Sequence, residues 1–134
     1  MKRNIIFLMI ALAGFMFVGV NSATAQWSVD VTVDDANCNC NNITQKEISW
    51  VVRYINDNTV FAYGSSTFTT NPVTISGTES VDPDSWKTFQ VCVNVKYYNE
   101  SVVCCEGTRC KVFDWADMCC PSDPTDNDMT VIMY

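Results

Sequence analysis

Apolar and polar residues alternate one by one along several stretches of this chain. Trp27, Val29, Val31 and Val33 are interleaved with Ser28, Asp30, Thr32 and Asp34. Ile48, Trp50, Val52 and Tyr54 are interleaved with Ser49, Val51 and Arg53. Phe89, Val91, Val93, Val95 and Tyr97 are interleaved with Gln90, Cys92, Asn94, Lys96 and Tyr98. A repeat of two sends successive side chains to opposite faces, so each stretch predicts a strand with one apolar face. Asp57-Asn58 marks a turn into a further strand at 59–63, and 73–76, after Pro72, fits a short edge strand. Two short runs, 102–105 and 109–113, flank Gly107-Thr108, and a glycine there suits the first central position of a type II′ hairpin turn. Residues 114–118 fit a single helical turn stopped by Cys119-Cys120-Pro121. Residues 129–134, Met-Thr-Val-Ile-Met-Tyr, have strand character.

No stretch carries the apolar stripe of a helix, and no internal repeat is present. About seven or eight short strands separated by turns predict an all-β fold, a small antiparallel β-sandwich with immunoglobulin-like topology as the default. The Trp50 to Cys92 spacing is similar to that of an immunoglobulin core, but Cys92 falls on the polar face of its strand, and no family is assigned.

The first 25 residues stand apart from this pattern. Lys2 and Arg3 precede an apolar run from Ile5 to Val20, and Ala23-Thr24-Ala25 supplies the small residues that a signal peptidase reads. That is the pattern of a secretory signal peptide cleaved before Gln26. The run is short for a membrane span of roughly 20 residues, and no second long apolar segment follows. The expected organisation is a signal peptide at 1–25, a disulfide-rich sandwich at 26–120, and an acidic linker with a C-terminal strand at 121–134. Secretion to the periplasm, the cell surface or the medium follows, with no membrane insertion after cleavage.

Export changes how the cysteines are read. All eight (Cys38, Cys40, Cys92, Cys104, Cys105, Cys110, Cys119 and Cys120) follow the leader. An even number in a short exported chain implies a disulfide framework, in which each bridge contributes roughly 2–4 kcal/mol. A turn at Gly107-Thr108 would put Cys105 directly opposite Cys110, which makes that the favoured pair. Cys38 and Cys40 are then left to meet Cys119 and Cys120. The C-x-C and C-C spacings differ from the C-x-x-C of zinc knuckles and of dithiol redox centres. A thiol-dependent metal or redox protein is therefore a third-ranked reading.

Charge and composition narrow the chemistry. The formal net charge is −7, and loss of Lys2 and Arg3 with the leader makes the remainder more acidic. Nucleic acid and anionic membrane both call for a basic face, so neither is an expected partner. The chain has no histidine, which removes the commonest general base and the usual nucleophile pairs. The carboxylate pairs Asp82 with Asp84 and Asp114 with Asp117 sit in no recognisable motif. The 123–128 stretch lacks the central glycine and closing glutamate of a calcium-binding EF-hand loop. Asn42 and Asn99 begin glycosylation sequons, which matter only in a eukaryotic secretory pathway. No cofactor, metal or catalytic residue is assigned, and no enzyme activity is expected.

What remains is binding. Tyr98 shares the mixed face of its strand with Gln90, Asn94 and Lys96, and Trp86 follows a Pro-Asp loop. Exposed aromatics beside amides stack on sugars or anchor protein partners. Trp86, Tyr98 and Asn94 are the binding candidates. The expected function is a secreted, non-catalytic binding module, adhesin-like or surface- or matrix-associated, with an unknown protein or glycan partner. The runner-up is a structural subunit that forms homo-oligomers by donating residues 129–134 to a neighbour's sheet.

Overall fold

The computed structural model describes residues 24–79 and 87–134. The leader expected at 1–25 lies almost wholly outside the described residues, as do Trp86, Asp82 and Asp84. The described residues fold as a small β-sandwich of seven strands and one helical turn. In order these are β1 (Ala25–Asp34), β2 (Gln45–Tyr54), β3 (Val60–Thr67), β4 (Val73–Glu79), β5 (Thr88–Asn99), β6 (Val102–Asp114), α1 (Trp115–Cys119) and β7 (Asp128–Ile132). One sheet has the order β4-β1-β7 and the other the order β3-β2-β5-β6. Every pairing is antiparallel except that of β1 with β7.

The alternating stretches form the strands for the reason that predicted them. Val29, Val31 and Val33 from β1 meet Val91, Val93 and Val95 from β5 across the sandwich, and all are buried. Each apolar side chain of this size contributes roughly 1.5–3 kcal/mol when fully buried. Tyr54, Phe61, Phe89 and Trp115 close one end of this core as a ring cluster with centroids 4.7–5.7 Å apart. Asn71 extends the first sheet where β4 has not yet begun. Its amide accepts from Val33 N–H at 2.9 Å and donates to Val33 C=O at 2.8 Å, as a paired strand would.

Three expectations need correction: the turn at Gly107-Thr108, the Cys105–Cys110 pair, and the meeting of Cys38 and Cys40 with Cys119 and Cys120. There is no turn at Gly107-Thr108: β6 runs unbroken from Val102 to Asp114, and its hairpin with β5 turns at Glu100, which has φ 57°. The glycine serves a different need. A β-carbon on Gly107 would collide with the carbonyl of Ile132 and crowd Met133 and Val131, so it is the close approach of another strand that excludes a side chain.

The cysteine pairing changes as a consequence. In an unbroken β6, Cys105 faces Tyr97 on the inner side and Cys110 faces Cys92 on the outer side, so Cys105 and Cys110 cannot meet. The bridges are Cys38–Cys105, Cys40–Cys104 and Cys92–Cys110. Cys38 and Cys40 therefore tie the β1–β2 loop to β6, and they do not reach Cys119 or Cys120.

The C-terminal strand belongs to its own sandwich. β7 runs parallel to β1 from Asp30↔Asp128 to Asp34↔Ile132, with Met129, Val131 and Met133 buried. The 123–128 segment leading to it is held by its own carboxylates. Asp123 accepts from the N–H and hydroxyl of Thr125, and Asp126 accepts from Ser122 Oγ and Asp123 N–H. Those bonds from Thr125 hold the Asp123 carboxyl below its ordinary range.

Candidate functional site

The two sides of the sandwich are closed differently. On one side Glu106 in β6 and Tyr134, just past β7, exchange backbone hydrogen bonds of 3.2 Å in both directions. The sheets are thereby joined along that edge. On the other side β3 and β4 are the outer strands of their respective sheets. A cleft of about 320 Å³ opens between them, with Trp27, Trp50, Phe61, Tyr63, Gly77 and Glu79 in its lining.

The walls of this cleft use one device twice. Trp50 in β2 is paired with Gly64 in β3, and Trp27 in β1 is paired with Gly77 in β4. A β-carbon on Gly64 would stand 2.5 Å from the Trp50 ring, and one on Gly77 would stand 2.6 Å from Trp27 Nε1. Each indole therefore lies across the bare backbone of its edge strand. Trp27 is buried and its Nε1 has no hydrogen-bond partner among the described residues, whereas Trp50 is half-buried. Tyr63 borders the cleft but is paired with Val51, so its ring lies on the outer face of the four-stranded sheet, 80 % exposed. A second cleft of about 380 Å³ continues from Trp27, Ser76 and Gly77 to Met118 and Cys119. Two indoles laid over strand backbone, a serine hydroxyl and the Glu79 carboxylate form an amphipathic surface, with the Tyr63 phenol exposed at its border. It can hold a flat apolar face while offering polar atoms at its edge.

Two of the three candidates read from the sequence lie elsewhere. Asn94 and Tyr98 are on the outer face of the four-stranded sheet, with Lys96 between them. Four positions along a strand separate the pair by about 13 Å. Asn94 Nδ2 donates to Glu106 Oε1 and to Thr108 Oγ1, both at 2.8 Å, so its amide is engaged within the sheet. That bond, with Lys96 3.6 Å from the same carboxylate, holds the Glu106 carboxyl below its ordinary range. The Cys92–Cys110 bridge lies on the same face, near Ser49 and Val51 in a shallow depression of about 260 Å³. The face as a whole is flat and mostly polar.

The chain matches no family model, no curated protein and no solved structure. The site is therefore weighed on chemistry alone. Asp114 stands at the N-terminus of α1 without capping it by its side chain, and Asp117 lies in the first turn of that helix. Among the described residues, no group of three or more Cys, Asp or Glu side chains is placed to hold a metal ion.

Sequence reasoning missed the cleft for a clear reason. The run at 59–63 is too short for its alternation to show which of its side chains face inward. The signal that was available is the pair of glycines, Gly64 and Gly77, each inside a strand-like run. A glycine within a strand marks a place where something packs against the backbone.

Proposed function

We propose that this chain is an exported, non-catalytic interaction module that receives its partner on the open β3/β4 side. The observation that carries the reading is the contrast between the two sides: one is sealed by the Glu106–Tyr134 pair, the other leaves a cleft lined by Trp27, Trp50 and Phe61 between two outer strands, with Tyr63 exposed at its border. Three disulfides support an oxidising, extracytoplasmic setting. No helix among the described residues is long and apolar enough to cross a membrane. The partner is a protein or a glycan, either of which an aromatic-rimmed cleft suits.

An immunoglobulin-like description supports the same reading by analogy of fold only. The order β3-β2-β5-β6 follows C′-C-F-G, β4-β1 follows E-B, and β7 occupies the place of the A strand beside B. Assembly by donation of residues 129–134 is the weaker alternative. It requires β7 to leave β1 and to expose Met129, Val131 and Met133.

The test is a binding screen of the exported protein on arrayed glycans and matrix proteins, repeated with variants. Tyr63→Ala, on an exposed side chain, should leave the melting temperature unchanged and weaken any specific binding at least about tenfold, the loss typical of a hot-spot aromatic. Tyr98→Ala should have no effect. Binding that survives Tyr63→Ala and is lost with Tyr98→Ala would move the site away from the β3/β4 side and overturn the proposal.

A further inference from the structure

Cys119 and Cys120 lie outside the three bridges, at the opposite end of β1 from the Cys38–Cys105 and Cys40–Cys104 pairs. Cys119 ends α1 and lines clefts with Gln26 and Thr78 on one side and with Ala25 and Trp115 on the other. β1 is ten residues long, which puts its two ends about 30 Å apart. Cys92–Cys110 is on the outer sheet face. The other six cysteines are thus already joined to one another, away from this corner.

Within the corner the two sulfurs face each other. Cys119 is helical, and Cys120 leaves the helix with φ −146° and ψ 54°. That change of direction brings the two Sγ atoms to 2.7 Å, closer than non-bonded sulfurs rest. The geometry points to a fourth disulfide between Cys119 and Cys120, a ring closed across one peptide bond. Cys120 is exposed and Cys119 half-buried, which sets the order of steps. The Cys120 thiolate attacks a sulfur of a small disulfide or of a disulfide-carrying oxidoreductase, RSSR, and releases one RSH. The Cys119 thiolate then attacks the Cys120 sulfur of the mixed disulfide and releases the second RSH. Two electrons pass to RSSR, and the two cysteine protons end on the two RSH products.

The site is a surface dithiol–disulfide couple, and its position gives it something to act on. The ring stiffens the end of α1 where Met118 and Cys119 face Trp27, Ser76 and Gly77. Those last three residues also line the open cleft. Opening or closing the ring therefore alters one wall of the cleft. Existence of the couple does not depend on what the cleft binds.

The chemistry can be read directly by mass. Trypsin cuts after Lys111, and residues 112–134 contain no further Lys or Arg and only these two cysteines. The exported protein, purified without reductant and alkylated under denaturing conditions, should yield this peptide unlabelled and lighter by two hydrogens than the dithiol. Mild reduction of the folded protein should then label both positions before the other six. It should also change the fluorescence of the nearby Trp115 and Trp27, a response that Cys119→Ser/Cys120→Ser lacks. Alkylation of both cysteines without reduction overturns the inference. So does recovery of the peptide linked to another peptide of the same chain or of a second one.

Discussion

Glu106 and Tyr134 exchange two backbone hydrogen bonds of 3.2 Å, joining the second sheet to the last residue of the chain. Beside this pair, Gly107 lies under the carbonyl of Ile132 with no room for a β-carbon. Backbone is what obstructs, and it cannot swing aside as a flexible side chain can. Gly107→Ala should therefore lower stability by about 1–3 kcal/mol, the usual cost of overpacking. Urea denaturation measures the loss. Hydrogen exchange should show the amides of Met133 and Tyr134 losing protection first. An unchanged midpoint would mean that the C-terminus does not hold this seam closed.

Gly107 also shows why part of the fold was legible in the sequence and part was not. β1 and β5 are covered on their apolar face by the other sheet, so their burial follows a period of two, and β2 buries Ile48 and Val52 on its apolar face. β6 is an outer strand. Its inward positions include Arg109 and Lys111, and Lys111 reaches past the sheet edge to the carbonyl and carboxylate of Asp128. The interruption makes one strand of thirteen residues read as two runs with a glycine turn between them. Each cysteine beyond that point was then placed on the wrong partner. The parallel pairing of β1 with β7 joins the two ends of the described chain and has no local signature. Asn94 and Tyr98 were correctly placed on one face, but the open side is made by strands brought together only in the fold.

The bridges Cys38–Cys105 and Cys40–Cys104 tie the same two segments. In the chain-entropy account a bridge stabilises by closing a loop in the unfolded state, and the first of these closes a loop with a sequence separation of 67. Once either bridge is present, the other closes only a very small additional ring. Removing one bridge by paired Cys→Ala changes should thus cost much less than about 4 kcal/mol, and removing both should cost more than the sum of the single losses. Removing Cys92–Cys110, with a separation of 18, should cost about 3 kcal/mol on its own. Denaturation of the four proteins tests the arithmetic. Additive losses for the first two bridges would show that they act independently.

The two Trp–Gly pairs of the open side should respond unequally to a methyl group. Gly77→Ala presses on Trp27, which is only 3 % exposed. Its cost should fall at about 1–3 kcal/mol. Gly64→Ala presses on the ring of Trp50, which is half-buried and borders the cleft, so the indole can move outward. The loss there should be below about 1 kcal/mol, with a red shift in tryptophan emission as Trp50 meets water. Equal losses, or no red shift, would show that Trp50 is as firmly held as Trp27 and that the cleft wall is rigid.

Tyr97 carries the pH dependence that is easiest to isolate. Its ring is buried under the β1–β2 loop, its hydroxyl donates to Asp35 Oδ2 at 3.1 Å, and Lys46 Nζ lies 4.4 Å from its centroid. Burial first, and then the negative charge of Asp35, raise its pKa from 10.0 to about 12. The sign follows from which state holds the proton. Above pH 10 the unfolded chain has given it up while the folded chain keeps it, so rising pH favours unfolding. Stability from this group is intact below pH 10 and is lost as the pH climbs toward about 12. Tyr97→Phe has no proton to lose. At neutral pH it should be less stable than the parent by about 0.5–1.5 kcal/mol, for the missing hydrogen bond to Asp35. That gap should narrow steadily in urea titrations between about pH 9 and about pH 11. A gap that stays constant over that range would mean that Tyr97 ionises as freely in the fold as out of it.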